Sequence, residues 1–295
     1  MDLAPTIAGK RRVFCCHRAT LSGRFIPNSI EAVRECVEAR APRLEIDLWF
    51  LRDDAMLIFH DDALDAETTG SGPVEALDRT SARTIRFKQN EGVSSGFLED
   101  VVEAMRGSET ILQVDLKQTA PLTPGRVEAM AAALAPIREQ VIIGCQAEGN
   151  LLPFAERGFR IALDPTLHWH FHPNRPPGLT PATLGVHGLW DDAPVAHDDQ
   201  LRAEAYIDAR IRRLVALAPV SEWMVDFWTL RHISGLGRDL GVELARHGIE
   251  LAAWTLKDRG RQRTAPLLHN LFGVGVTTII TDSPAQLASY VAGGA

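Results

Sequence analysis

The chain has 295 residues, with 31 basic against 38 acidic side chains and a formal net charge of −7, and no basic cluster offsets that balance, which disfavours a nucleic-acid partner. Hydrophobic residues make up 45% and charged residues 23%, so a packed core is expected and a disordered or collagen-like chain is excluded. No apolar run approaches the ~20 residues of a membrane span, residues 1–12 lack the apolar stretch of a secretory signal, and four cysteines in so long a chain read as reduced thiols of a cytoplasmic protein.

Short β-rich runs alternate with helical stretches along the chain. Val13–Cys16 is the first strand and ends at His17. A helix over Asn28–Ala39 follows, with Ile30, Val33 and Val37 on one face and Asn28 or Ser29 available as a cap. Leu44–Leu51 is the second strand. A helical stretch over Leu98–Met105 leads to a third strand, Ile111–Leu116, then a helix over Arg126–Leu134 and a strand over Val141–Cys145. Phe159–Leu163 is a fifth strand. Leu201–Leu217 is the longest amphipathic helix, and its arginines read as a solvated outer face. Trp223–Phe227, Ile249–Trp254 and Val276–Thr281 complete the strands, with helices over Leu236–Arg246 and Pro284–Val291. Eight strands interleaved with helices predict a parallel sheet closed into a single (β/α)8 TIM barrel over residues 1–295. Two stretches break the rhythm, at about 61–96 and 165–199. Loops of that length are usually functional, and loops after barrel strands form the active face.

Unusual polar residues fall at strand ends. His17 and Arg18 close the first strand. Glu45 and Asp47 share one face of the second, because residues i and i+2 of a strand point the same way. Two carboxylates side by side inside a barrel repel each other and lose solvation, so they need a cation, and hard oxygen ligands suit Mg2+ or Ca2+. Ion pairs to Arg43 or Arg52 are the plainer alternative. Asp115 and Lys117 repeat the spacing in the third strand. Asp115 is a candidate third ligand, with a salt bridge to Lys117 as the simpler reading, and Lys117 is a candidate contact for an anion beside the metal. His60-Asp61 follows the apolar Leu57–Phe59. Two imidazoles titrating near neutrality can act as a base and acid pair, while a divalent cation with Arg and Lys can hold a phosphate and stabilise its developing charge. Phosphodiester cleavage uses all of them.

In order and spacing, these motifs resemble the glycerophosphodiester phosphodiesterase family: His17-Arg18, Asn28-Ser29, Glu45-x-Asp47, His60-Asp61-x-x-Leu64 with Thr68-x-Gly70, Asp115-x-Lys117, Ala253-Trp254-Thr255 and Ile280-Thr281-Asp282-Ser283-Pro284. The resemblance runs from His17 to Pro284. It implies a TIM barrel, one divalent cation on Glu45, Asp47 and Asp115, catalytic histidines at 17 and 60, and Arg18 and Lys117 on the phosphate. In such enzymes a neighbouring hydroxyl of the substrate attacks phosphorus, giving a cyclic phosphate that water can open. This chain departs from the family in having Ala19 where Gly is usual, Pro27 where Glu precedes the Asn, Ala66-Glu67-Thr68 where an Arg-Thr-Thr run is usual, and Asp115 in place of Glu. Asp-x-Lys at that point is similar to the sphingomyelinase D-like branch of the superfamily. That branch lacks the His-Asp-x-x-Leu pattern.

Other residues are weaker candidates. Trp254 reads equally as pocket wall and as packing. In His168-Trp169-His170-Phe171-His172, alternating histidines share one face; His168 and His170 are read as a polar substrate-facing wall. Asp282, just ahead of Pro284, is read as the cap of the last helix. The expected partner is a small soluble phosphodiester, with no nucleic acid and no membrane. A sugar phosphodiester of the opine type and a catalytically silent barrel binding a phosphorylated ligand are the alternatives.

Overall fold

Apolar runs buried on both faces are the pattern of parallel strands covered by helices, and here they become the staves of a closed barrel. The structure, a computed structural model, describes residues 2–168 and 203–291. Its barrel strands are β1 (Val13–Cys16), β2 (Arg43–Phe50), β3 (Ile111–Leu116), β4 (Val141–Cys145), β5 (Arg160–Leu163), β6 (Glu222–Asp226), β7 (Glu250–Trp254) and β8 (Thr278–Thr281). Each pairs in parallel with the next, and β8 returns to β1 with Thr281 opposite Cys16, closing the ring. The (β/α)8 TIM barrel expected from the alternation is the fold. No described helix is long and apolar enough to cross a membrane.

Alternate strand residues point inward. Cys15, Ile142, Ala162, Met224, Ala252 and Ile280 form one apolar layer inside the barrel, and a larger core fills the space between strands and helices. Gly144 is needed in that inner layer, because a Cβ there would lie 2.3 Å from Met224 Cε. Its absence lets the Met224 thioether lie across the interior, where it lines the cavity above.

Strand boundaries fall within two residues of expectation, but helices differ where proline or a strand end misleads. Ser29 caps the first crossover helix (Ile30–Glu38), accepting from the Ala32 N–H. Helices over Glu148–Glu156 and Arg261–Gly273 contain Pro153 and Pro266, which cost a hydrogen bond and mask the helical pattern. The helix expected over Leu236–Arg246 is shorter, Leu240–Ala245, and a further helix, Phe227–Gly235, precedes it, the two separated around Gly237 at φ 73°. Phe227 leaves the strand because Asp226 accepts from the Thr229 N–H as an N-cap.

The long stretch after β2 is ordered by its own small core. Met56–Ile58 turns back antiparallel on the end of β2, with Ile58 opposite Leu48. Leu51, Phe59, Leu64, Val74, Phe87 and Phe97 pack together beneath the following loop. This hairpin returns His60 to the carboxyl end of the barrel, where the Phe59 N–H donates to the Asp47 carbonyl.

Candidate active site

The i, i+2 alternation of β2 and β3 sends Glu45, Asp47 and Asp115 into the barrel mouth, with Asp47 directly opposite Asp115 in the ladder. One carboxylate oxygen from each lies within 4.8 Å of the other two. Glu45 and Asp47 are 3% and 1% exposed. Arg43 and Arg52, the alternative partners for these acids, pair instead with Glu222 and Asp78.

The chain leaves β1 through a tight turn, His17–Ala19, in which Arg18 and Ala19 adopt φ of 51° and 56°. That left-handed geometry accompanies an Arg18 N–H that donates to Glu45 Oε2 at 2.7 Å. The Arg18 guanidinium sits 3.5 Å from Asp47 and 3.7 Å from Glu67. Asn28 straddles Asp47: its Nδ2 donates to Oδ2 at 2.7 Å and its Oδ1 accepts from the Asp47 N–H at 3.2 Å. Lys117 reaches Asp47 at 3.0 Å and Asp115 at 2.9 Å, so the salt bridge read for Asp115 is present, and the same residue belongs to the acidic cluster.

Each histidine is oriented by a carboxylate. His17 Nδ1 lies 2.5 Å from Asp282 Oδ1, and His60 Nδ1 lies 2.6 Å from Asp61 Oδ1. With Nδ1–H committed to these acids, Nε2 is the ring nitrogen left for a ligand. Burial would lower the His17 pKa, but the bond to Asp282 and the charges of Glu45 and Asp47 raise it above its usual value. Burial, then the charge of Asp47, pushes the Glu45 carboxyl up to about 8. Burial works the same way on Asp47, but Lys117, His60, His17 and Arg18 outweigh it and bring that group down to about 2. The Lys117 ammonium, desolvated but held between Asp115 and Asp47, is raised above the usual lysine value.

Together these groups line a cavity of about 480 Å³. It contains His17, Arg18, Glu45, Asp47, His60, Asp115, Lys117 and Trp254. The Trp254 indole N–H is fixed by donation to the Met224 carbonyl at 3.2 Å. His168 is not among the cavity residues. It is fully buried, with Nε2 3.5 Å from Glu148 and its carbonyl accepting from Arg210 Nε, so a substrate-facing role is withdrawn for it. His170 and the rest of 169–199 lie outside the described residues. Asp282 is corrected from helix cap to histidine partner, because the pairing of β8 with β1 sets it beside His17. Asp164, Gln146 and Lys257 also line the cavity without having been singled out from the sequence. For Asp164 and Asp282 the available signal was an acid placed directly after an apolar strand.

The donor set fits a hard divalent cation: three clustered carboxylates, one of them, Glu45, buried without a salt bridge among the described residues, its pKa pushed up by burial and then by the charge of Asp47. Residues 17–142 match the model of the glycerophosphoryl diester phosphodiesterase family. The likeness to that family rests on these residues, which are under half of the chain. The matched span contains both histidines, Arg18, Lys117 and all three clustered acids, whereas Trp254 and Asp282 lie beyond it. A glycerophosphodiester phosphodiesterase from Parabacteroides distasonis is similar in structure, with a TM-score of 0.65 at 13% identity over 95% of this chain and 96% of that one. An Oleispira antarctica phosphodiesterase, solved in complex with the product sn-glycerol-3-phosphate, gives 0.65 at 14% identity over 95% and 96%. A glycerophosphodiester phosphodiesterase from Agrobacterium tumefaciens gives 0.58 at 18% over 94% and 98%. At these identities the likeness speaks for the fold. None of the curated proteins matches the chain.

Proposed function

We propose that the chain is a divalent-cation-dependent phosphodiesterase that converts a small glycerophosphodiester-type substrate and water into an alcohol and a phosphomonoester, with His17 and His60 as its acid–base pair. The observation that carries this reading is the convergence, in one cavity, of three carboxylates and two histidines each oriented by its own acid. The phosphodiesterase of similar fold that holds sn-glycerol-3-phosphate supports the substrate class.

A cation held by Glu45, Asp47 and Asp115, Mg2+ or Ca2+, would supply a Lewis acid for a non-bridging phosphate oxygen. Arg18 and Lys117 bind the phosphate and spread its developing charge. Asp47 holds both of these cations at the cluster. His17, raised in basicity by Asp282, accepts the proton of the attacking hydroxyl at Nε2. His60 donates from Nε2 to the leaving oxygen, while Asp61 holds its Nδ1–H. Arg18 is placed by the same turn that donates its N–H to Glu45, so the phosphate contact and the acidic cluster are built as one unit.

The test is turnover of glycerophosphocholine with Mg2+ or Ca2+ by the wild type, His17→Ala and Glu45→Ala. Release of choline and glycerol phosphate by the wild type, lost in both variants, is the expected result. Near wild-type kcat in either variant ends the assignment. Tight ligand binding without turnover under every cation would favour the silent barrel.

A further inference from the structure

Asp164 is a buried acid in the cavity that the proton transfers above do not use. It follows β5 directly, and its N–H donates to the Cys145 carbonyl of β4, which holds it at the rim of the barrel. Its two oxygens have different work. Oδ1 accepts from the Thr166 N–H at 2.9 Å and the Thr166 hydroxyl at 2.5 Å, tying down the turn that follows. Among the described residues, Oδ2 accepts only a long 3.3 Å bond from Gln146 Nε2. A carboxylate offers about four acceptor positions, so Oδ2 keeps one for a ligand. Gln146, directly after β4, lines the same cavity, and its amide brings a further acceptor and donor.

The position of this pair defines what it can reach. Asp115 sits on β3 and Asp164 just beyond β5, two strands away, or about 10 Å along the wall at the usual strand spacing. Asp164 is therefore not part of the acidic cluster, which holds Glu45, Asp47 and Asp115 alone among the described residues. A group bonded to Asp164 stands off the phosphate by the length of a short polyol. Burial pushes its carboxyl up to about 7. A lone desolvated acid costs stability unless something hydrogen-bonds to it.

We infer that Asp164 and Gln146 form a polyol subsite, in which adjacent hydroxyls of the substrate donate to Asp164 Oδ2 and exchange hydrogen bonds with the Gln146 amide. A carboxylate beside an amide matches a vicinal diol, since each hydroxyl both donates and accepts. This inference deepens the phosphodiesterase reading and rests on it. It makes the hydroxyl-bearing arm, rather than the phosphate alone, a determinant of which ester is held.

The experiment compares binding of sn-glycerol 3-phosphate and methyl phosphate by calorimetry, with Mg2+ present, to the wild type, Asp164→Asn and Gln146→Met. Asparagine keeps Oδ1 for Thr166 and replaces the Oδ2 acceptor with a donor. The wild type is expected to prefer glycerol phosphate by roughly tenfold or more, the worth of one strong buried hydrogen bond. Asp164→Asn should reduce that preference to about threefold or less while methyl phosphate affinity stays within about twofold. Gln146→Met should show the same selective loss, and it supplies the readout if the Asp164 variant does not fold. An unchanged preference in the variants, or equal weakening of both esters, overturns the subsite alone. Binding of neither ester to the wild type overturns the phosphodiesterase reading and the subsite with it.

Discussion

The two ends of this barrel are both charged and both hollow, yet they are built on opposite principles. At the floor, around the amino ends of the strands, lies the larger cavity, about 1010 Å³, lined by Arg43, Arg160, Glu250 and their neighbours. The buried charge there is closed: Arg43 donates to both Glu222 oxygens at 2.8 and 2.6 Å and to Gln113. At the mouth the cavity is about half that size, and the charge is open. Glu45, Asp47 and Asp115 face only Arg18 and Lys117 as close cationic partners among the described residues, and Glu45 receives a backbone N–H in place of an ion pair. Charge left unbalanced by the fold, rather than cavity size, is the feature on which the proposed active site rests.

That contrast can be broken at either end. The largest effect is expected at the mouth, where His17→Ala should lower kcat by about 10²–10⁴-fold, the usual worth of a general base, with an unchanged unfolding midpoint. At the floor the opposite is predicted. Glu222→Leu leaves the Arg43 guanidinium buried and unpaired, which costs about 3–5 kcal/mol in urea unfolding, while kcat of the folded fraction stays near wild type. A large loss of kcat there would erase the distinction between the two ends.

Asp282→Asn sharpens the comparison at smaller scale. It keeps the shape but removes the charge that raises His17, so kcat should fall about 10–100-fold and the acidic limb of activity, set by the base, should move to lower pH. Glu45 adds a pH signature. With a folded value of about 8 against an ordinary one near 4.5, the folded state binds more protons between those limits. Stability without a divalent cation therefore falls as pH rises through that window. The expected drop is about 1 kcal/mol or more. Thermal midpoints across pH 5–8 should show it, and Glu45→Gln or saturating Mg2+ should flatten it. Ala19→Gly is the smallest change. At φ 56° alanine is strained, and glycine should gain about 0.5–1 kcal/mol against the loss of one buried methyl. A shift in urea midpoint to greater stability is the expected sign.

Much of the mouth could be read along the chain because its parts are local. Glu45-x-Asp47 and Asp115-x-Lys117 are strand repeats of period two, and the structure sets them side by side because β2 and β3 are neighbours. The departures at 19 and 67 also gain meaning: Ala19 occupies a left-handed turn position suited to glycine, and Glu67 stands beside Arg18. What escaped was set by closure. Asp282 is 265 residues from His17 in sequence and meets it only because the last strand pairs with the first. His168 misled for the converse reason, since a histidine just past a strand end can turn back into the core against Glu148. The two missed proline-containing helices show tertiary packing overriding local propensity.

The central claim is that Glu45, Asp47 and Asp115 jointly hold one divalent ion between the two histidines. Anomalous diffraction from crystals soaked in Mn2+ tests it most directly. The account predicts one strong peak within about 2.0–2.5 Å of an oxygen from each of the three carboxylates, absent from Glu45→Ala crystals. A peak elsewhere, or a barrel mouth that stays empty while Lys117 keeps its bonds to Asp47 and Asp115, would contradict it.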